Sequence, residues 1–151
     1  MARSYRFPSS LMSEYIPAKL RGQVSERDGD RCAYCQTSEA NSGIPLSIDH
    51  VVPVSKGGQT NFNNICLACR TCNEAKGKRT TGTDPLSGQE VSLFNPIQED
   101  WDDHFSWNAE GVEVDGKTST GRTTVEALRM NNPIIRAAHR RWVLSGWHPP
   151  S

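Results

Sequence analysis

Five cysteines, Cys32, Cys35, Cys66, Cys69 and Cys72, carry the most legible chemistry in this 151-residue chain. Four of them fall into two Cys-x-x-Cys pairs, Cys32/Cys35 and Cys69/Cys72. Each pair supplies two thiolates from one tight turn, and two pairs suit the tetrahedral shell of a single Zn²⁺. Cys66 also stands three residues before Cys69, so a Cys66/Cys69 pair is formally open. The Cys69/Cys72 pair is preferred, because Ile65-Cys66-Leu67-Ala68 reads as a short buried strand in which a thiol serves as a small apolar residue. An odd thiol count speaks against a disulfide framework. A redox role is the poorer alternative, since nothing around Cys32 looks like a thioredoxin-type strand–helix unit. Four thiolates fill the zinc shell, so the ion is expected to serve folding and not catalysis.

The groups expected to react lie inside the loop that such a zinc closes. Leu46-Ser47-Ile48 alternates like a short strand and runs into Asp49-His50, then Val51-Val52-Pro53. Ser55-Lys56-Gly57-Gly58 reads as a turn and Asn61 to Asn64 as polar loop, before a second short strand at Ile65–Ala68. Arg70 to Arg79 reads as a helix, with Glu74 and Lys78 one turn apart and Gly77 as a weak point near its end. The order is strand, long loop, strand, helix, with the second knuckle at the strand–helix junction.

Taken together, Cys32-Ala-Tyr-Cys35, Ile48-Asp49-His50-Val-Val-Pro53, Ser55-Lys-Gly-Gly58, Asn64 and Cys69-Arg-Thr-Cys72-Asn73-Glu-Ala-Lys76 resemble an HNH endonuclease with a ββα-metal fold. The resemblance covers about residues 20–80, roughly half the chain. It implies that His50 is the general base that takes a proton from the attacking water. It implies that Asp49 and Asn73 hold a catalytic divalent cation, and that Asn64 keeps His50 oriented, usually by a hydrogen bond within the loop. Asn73 stands where the family often has histidine; its neutral oxygen suits Mg²⁺ or Mn²⁺. The implied reaction is hydrolysis of DNA phosphodiester bonds by one metal. A histidine titrating near neutrality can activate water, while a hard cation with open positions stabilises phosphoryl and leaving-group charge. Adjacent residues on an extended strand point to opposite sides, so a bend near His50 is expected if both groups are to meet one phosphate. Lys76, Lys78 and Arg79 follow the helix ligand as candidate contacts to backbone phosphates, and Lys56 is a further one.

The elements that position these groups form an expected α+β fold, a small ββα-metal core with structural zinc plus a C-terminal β-hairpin and helices. Residues 17–28 read as a helix with Leu20 and Val24 on its buried edge. We divide the chain into an N-terminal arm (1–16), a nuclease core (17–80) and an accessory region (81–151) packed on or beside the core. In that region Thr80–Pro85 reads as a turn, and Phe105–Asn108 with Val112–Val114 as a hairpin. Two helices are expected, one from Gly121 to Asn132 and one from Ile134 to Leu144. The tryptophans and His104, His139 and His148 are read as structural. Basic and acidic residues number seventeen each, but residues 81–115 hold nine acids and no Lys or Arg, while 66–80 and 116–151 are net basic. That segregation is compatible with a basic face toward phosphates. No run approaches the ~18 apolar residues of a membrane span, and the opening MARSYRFPSS lacks a secretory apolar stretch, so a cytoplasmic, DNA-binding protein without a membrane partner is expected. The alternative is a zinc-stabilised nucleic-acid-binding module without catalysis; a small zinc-held protein-interaction domain is a third reading.

Overall fold

The computed structural model describes residues 15–150, and the expected arm lies almost wholly outside them. Helix α1 (Ala18–Asp28) begins after Pro17 and ends at Gly29, a left-handed C-cap with φ 66°. Val24 is fully buried on its inner edge and Leu20 packs beside the core. The Asp28 carboxylate accepts the Leu67 backbone N–H at 2.9 Å, and Arg21 donates to the Leu46 carbonyl at 2.6 Å. The helix thereby braces both strands of the adjoining sheet.

That sheet is an antiparallel pair, β1 (Ser47–His50) and β2 (Ile65–Ala68), in the register Ser47 to Ala68, Asp49 to Cys66 and His50 to Ile65. All four β2 residues are buried, as a continuous apolar run in a two-faced strand requires. Between knuckle and strand, α2 (Glu39–Ser42) is a single turn capped by Ser38. After β2 comes α3 (Arg70–Lys76), whose N-cap is Cys69, its Sγ accepting from the Cys72 N–H at 3.4 Å. Gly77 stops it with φ 57° and ψ −129°, a conformation that side chains resist, so the helix ends at Lys76 and falls short of the expected Arg79.

The second half corrects the reading in detail. The expected turn at Thr80–Pro85 contains a strand, β3 (Thr81–Thr83), paired with β4 (Glu90–Ser92). Asp84 closes that hairpin by accepting the Leu86 N–H and the Ser87 hydroxyl, a local side-chain turn that a reading of periodicity passes over. A short helix, α4 (Trp101–His104), leads into β5 (Phe105–Trp107), which pairs with β6 (Val114–Gly116). Helix α5 (Ser119–Ala127) starts at a Thr118 cap and stops well before Asn132. Helix α6 (Pro133–Leu144) starts with Asn132 as cap and Pro133 at its first position. Phe94, Phe105, Trp101 and Trp107 form a chain of ring contacts at 5.1–5.8 Å between neighbouring centroids. Trp101 Nε1 donates to the Tyr34 carbonyl at 2.7 Å, and Arg79 bridges the Ala75 and Ala127 carbonyls. The accessory region is thereby fastened to the core at the first knuckle and at the end of α3. Among the described residues no helix is long and apolar enough to cross a membrane.

Candidate active site and zinc centre

Cys32, Cys35, Cys69 and Cys72 converge, with all four sulfurs within 4.8 Å of one another. A tetrahedral Zn²⁺ with bonds of ~2.3 Å needs sulfurs roughly 3.8 Å apart. Cys35 and Cys69 already lie 3.6 Å apart, and the Cys35 and Cys72 amides approach the Cys32 and Cys69 sulfurs. Hydrogen bonds from the other three hold Cys69 far below the ordinary thiol range, while Cys32 is pushed up, first by burial, and Cys72 first by its bond with Cys32. A dication at the centre of the four is the group this donor set fits. Cys66 takes no part: it is buried in β2, opposite Asp49, and burial raises its thiol well above the usual range.

β1 presents Asp49 and His50 on opposite sides, as alternation dictates. His50 is half-buried and its Nε2 lies 2.8 Å from the Thr60 hydroxyl. Among the described residues no hydrogen bond joins Asn64 to that ring. Its Oδ1 accepts the Val52 N–H, and its Nδ2 donates to the Val52 and Gln59 carbonyls, all at 2.9–3.0 Å. One amide thus clamps both ends of the loop that begins just after His50. Gly58 makes the clamp possible, because a Cβ there would lie 1.7 Å from the Val52 oxygen and 2.8 Å from Asn64 Nδ2.

Asp49 points inward and is only 4% exposed. Its Oδ2 accepts from the Tyr34 hydroxyl at 2.7 Å and lies 3.1 Å from the Lys76 ammonium; its Oδ1 is 3.3 Å from the same ammonium. Burial pushes the Asp49 carboxyl above its ordinary range, with the Lys76 charge pulling against it. The Tyr34 phenol is raised further by burial and stays a donor. Lys76 is 1% exposed and also donates to the His50 and Val51 carbonyls at 3.1 and 3.2 Å. As placed it cannot reach a phosphate on the surface, which corrects its expected role. Lys76 follows the buried Cys72 by four positions on α3, one helical turn, and so shares the inward face of the helix. Asn73 is half-exposed on α3, and no hydrogen bond involves its side chain among the described residues.

Residues 32–79 match the HNH endonuclease family. This stretch is an HNH domain. The Septu protein PtuB of Bacillus thuringiensis is 23% identical over 108 residues, which cover 70% of this chain and 38% of that protein. The chain thus spans well under half the length of that relative. On the surface of the HNH domain Lys56 and Lys78 are exposed, and Arg79 is exposed but committed to backbone carbonyls. Tyr34 and Thr60 were not singled out from sequence. Tyr34 lies inside the first Cys-x-x-Cys motif, a position that ties it to the metal, whereas nothing in the pattern around Thr60 marks it.

Proposed function

We propose that the chain is a metal-dependent endonuclease that hydrolyses DNA phosphodiester bonds, with His50 as general base. The observation that carries this reading is the His50 ring itself, half-buried on the first strand of a zinc-clamped ββα unit and held at Nε2 by Thr60. In the tautomer that donates Nε2–H to the Thr60 oxygen, Nδ1 keeps its lone pair and can take a proton from water. Asn64 and Gly58 keep the following loop from drifting, so the ring meets substrate in one orientation.

Asp49 and Asn73 are the proposed holders of a hard divalent cation, Mg²⁺ or Mn²⁺. The donor chemistry fits: one carboxylate and one unengaged neutral amide oxygen. Asp49 Oδ1 has the Lys76 ammonium as its partner, and so retains an acceptor position that Oδ2, with two partners, has used. Such a cation would neutralise charge on the phosphate and on the departing oxygen. Exposed Lys56 and Lys78 are proposed to contact backbone phosphates.

The deciding experiment incubates supercoiled plasmid with the zinc-loaded protein and Mg²⁺ or Mn²⁺. Nicking by the parent that falls by about 10²–10⁴ in His50→Ala, with zinc content and circular dichroism unchanged, supports the reading. Equal nicking by both proteins overturns it. Salt-sensitive DNA binding with no nicking under either cation assigns the chain to the binding-only alternative.

A further inference from the structure

A buried polar chain runs from the zinc knuckle to the backbone of the proposed base. Tyr34, between Cys32 and Cys35, donates to Asp49; Asp49 pairs with Lys76; and Lys76 donates to the carbonyls of His50 and Val51. Both ends are tied to metal-bearing segments. Tyr34 belongs to the first knuckle, and Lys76 to the helix whose N-cap is Cys69 of the second. Tyr34 is fully buried and Lys76 nearly so, which puts both out of reach of a polymer substrate. A lysine ammonium in an apolar interior costs several kcal/mol unless its donors are matched, and here its donors face a carboxylate and two carbonyls. A methionine at position 76 would remove the ammonium but strand the buried Asp49 carboxylate without its ion-pair partner. What the ammonium adds is a fixed direction for Asp49 and for the peptide planes that carry the His50 ring.

We propose that Tyr34 and Lys76 are positioning residues of the active site, transmitting the rigidity of the zinc knuckles through Asp49 to His50. The proposal rests on the nuclease reading for its kinetic consequence, while its structural consequence is independent of that reading. A general base misplaced by a fraction of an ångström loses rate and not substrate affinity. Deleting the Tyr34 hydroxyl should therefore lower kcat and leave KM alone.

Tyr34→Phe and Lys76→Met are compared with the parent as full-length, zinc-loaded chains, with Ile65→Val as a core variant for loss of stability alone. Three quantities are read: zinc content, the ¹⁵N and ¹H resonances of the His50 ring, and plasmid nicking. For Tyr34→Phe we expect full zinc content, shifted or broadened His50 ring resonances, and kcat lowered about tenfold with KM within about twofold. Ile65→Val should leave the ring resonances in place. Unchanged ring resonances and unchanged kcat in Tyr34→Phe overturn the proposal, whatever happens to Lys76→Met, which is expected to be the less stable protein. If the parent never nicks DNA, the nuclease reading fails and the ring resonances alone decide: shifted in Tyr34→Phe they support the brace, unshifted they overturn it.

Discussion

The five thiols divide by position into four that meet and one that packs. Cys32, Cys35, Cys69 and Cys72 bring their sulfurs together, whereas Cys66 is buried in β2 opposite Asp49. Alanine at any of the first four should abolish stoichiometric zinc in the purified protein, and Cys66→Ala should retain it. The cost of Cys66→Ala is then that of a small cavity, about 1 kcal/mol in chemical denaturation. Full zinc in Cys69→Ala would remove the basis of the site. Lys76 is decided at the same scale. Lys76→Met removes one partner of a buried ion pair, and leaving Asp49 unpaired should cost about 3–5 kcal/mol. Lys78→Met, on the surface, should cost under about 0.5 kcal/mol in the same measurement.

At the scale of the element, the loop between His50 and Asn64 shows how a few backbone contacts hold a side chain. Asn64 makes three hydrogen bonds to Val52 and Gln59, and Gly58 lets those strands of chain come close enough to make them. Gly58→Ala places a methyl group inside the Val52 carbonyl. We expect a loss of about 1–3 kcal/mol from the forced shift, together with a larger fall in nicking than in DNA binding. Equal stability and activity in Gly58→Ala would mean that the loop tolerates another path. Helix α3 belongs to the same scale. Its seven residues are capped by Cys69, one of the four clustered cysteines, and by Gly77, too short to persist without tertiary support. A chelator that strips zinc should therefore lower helical circular dichroism, and re-addition of Zn²⁺ should restore it.

Across the whole molecule, the accessory region carries its own acid-sensitive contacts. Arg122 forms two hydrogen bonds to Asp84, whose carboxyl is held well below its ordinary range, first by that guanidinium. The rings of His139 and His148 stack 4.3 Å apart, with Trp107 edge-on to both. Burial holds His139 below its usual value and brings His148 down to about 4, where His139 and Arg31 also disfavour a second positive charge. Both effects have the same sign. Neutral histidines in the folded state and ionised Asp84 mean that the unfolded chain binds more protons, so stability falls on acidification. The histidine contribution is complete above about pH 6.5 and drains away as the pH falls toward 4; the Asp84 contribution goes lower still, below the ordinary carboxylate value of about 4. Thermal melts should show a falling midpoint between pH 6.5 and 4. His148→Phe, which stacks without titrating, should flatten that slope. A midpoint independent of pH over that range in the parent would contradict the account.

Local chemistry in the sequence was enough to indicate the zinc ligands, the strand–loop–strand–helix order and the HNH character. A Cys-x-x-Cys turn, an apolar strand and a helix start each depend on residues only a few positions apart. The helix at 17–28 was legible for the same reason, through Leu20 and Val24, and so was a hairpin opening at Phe105, although its second strand is Val114–Gly116 and not the expected Val112–Val114. Direction was decided by tertiary packing. Nothing near position 76 distinguishes a lysine that reaches solvent from one that reaches Asp49, because that depends on where a separate strand lies against the helix face. The β3 strand was missed because its partner β4 and the Asp84–Arg122 pair lie beyond any local window. Residue type and spacing recorded which groups are available, and the packing of α3 on β1 determined which of them face water and which face one another.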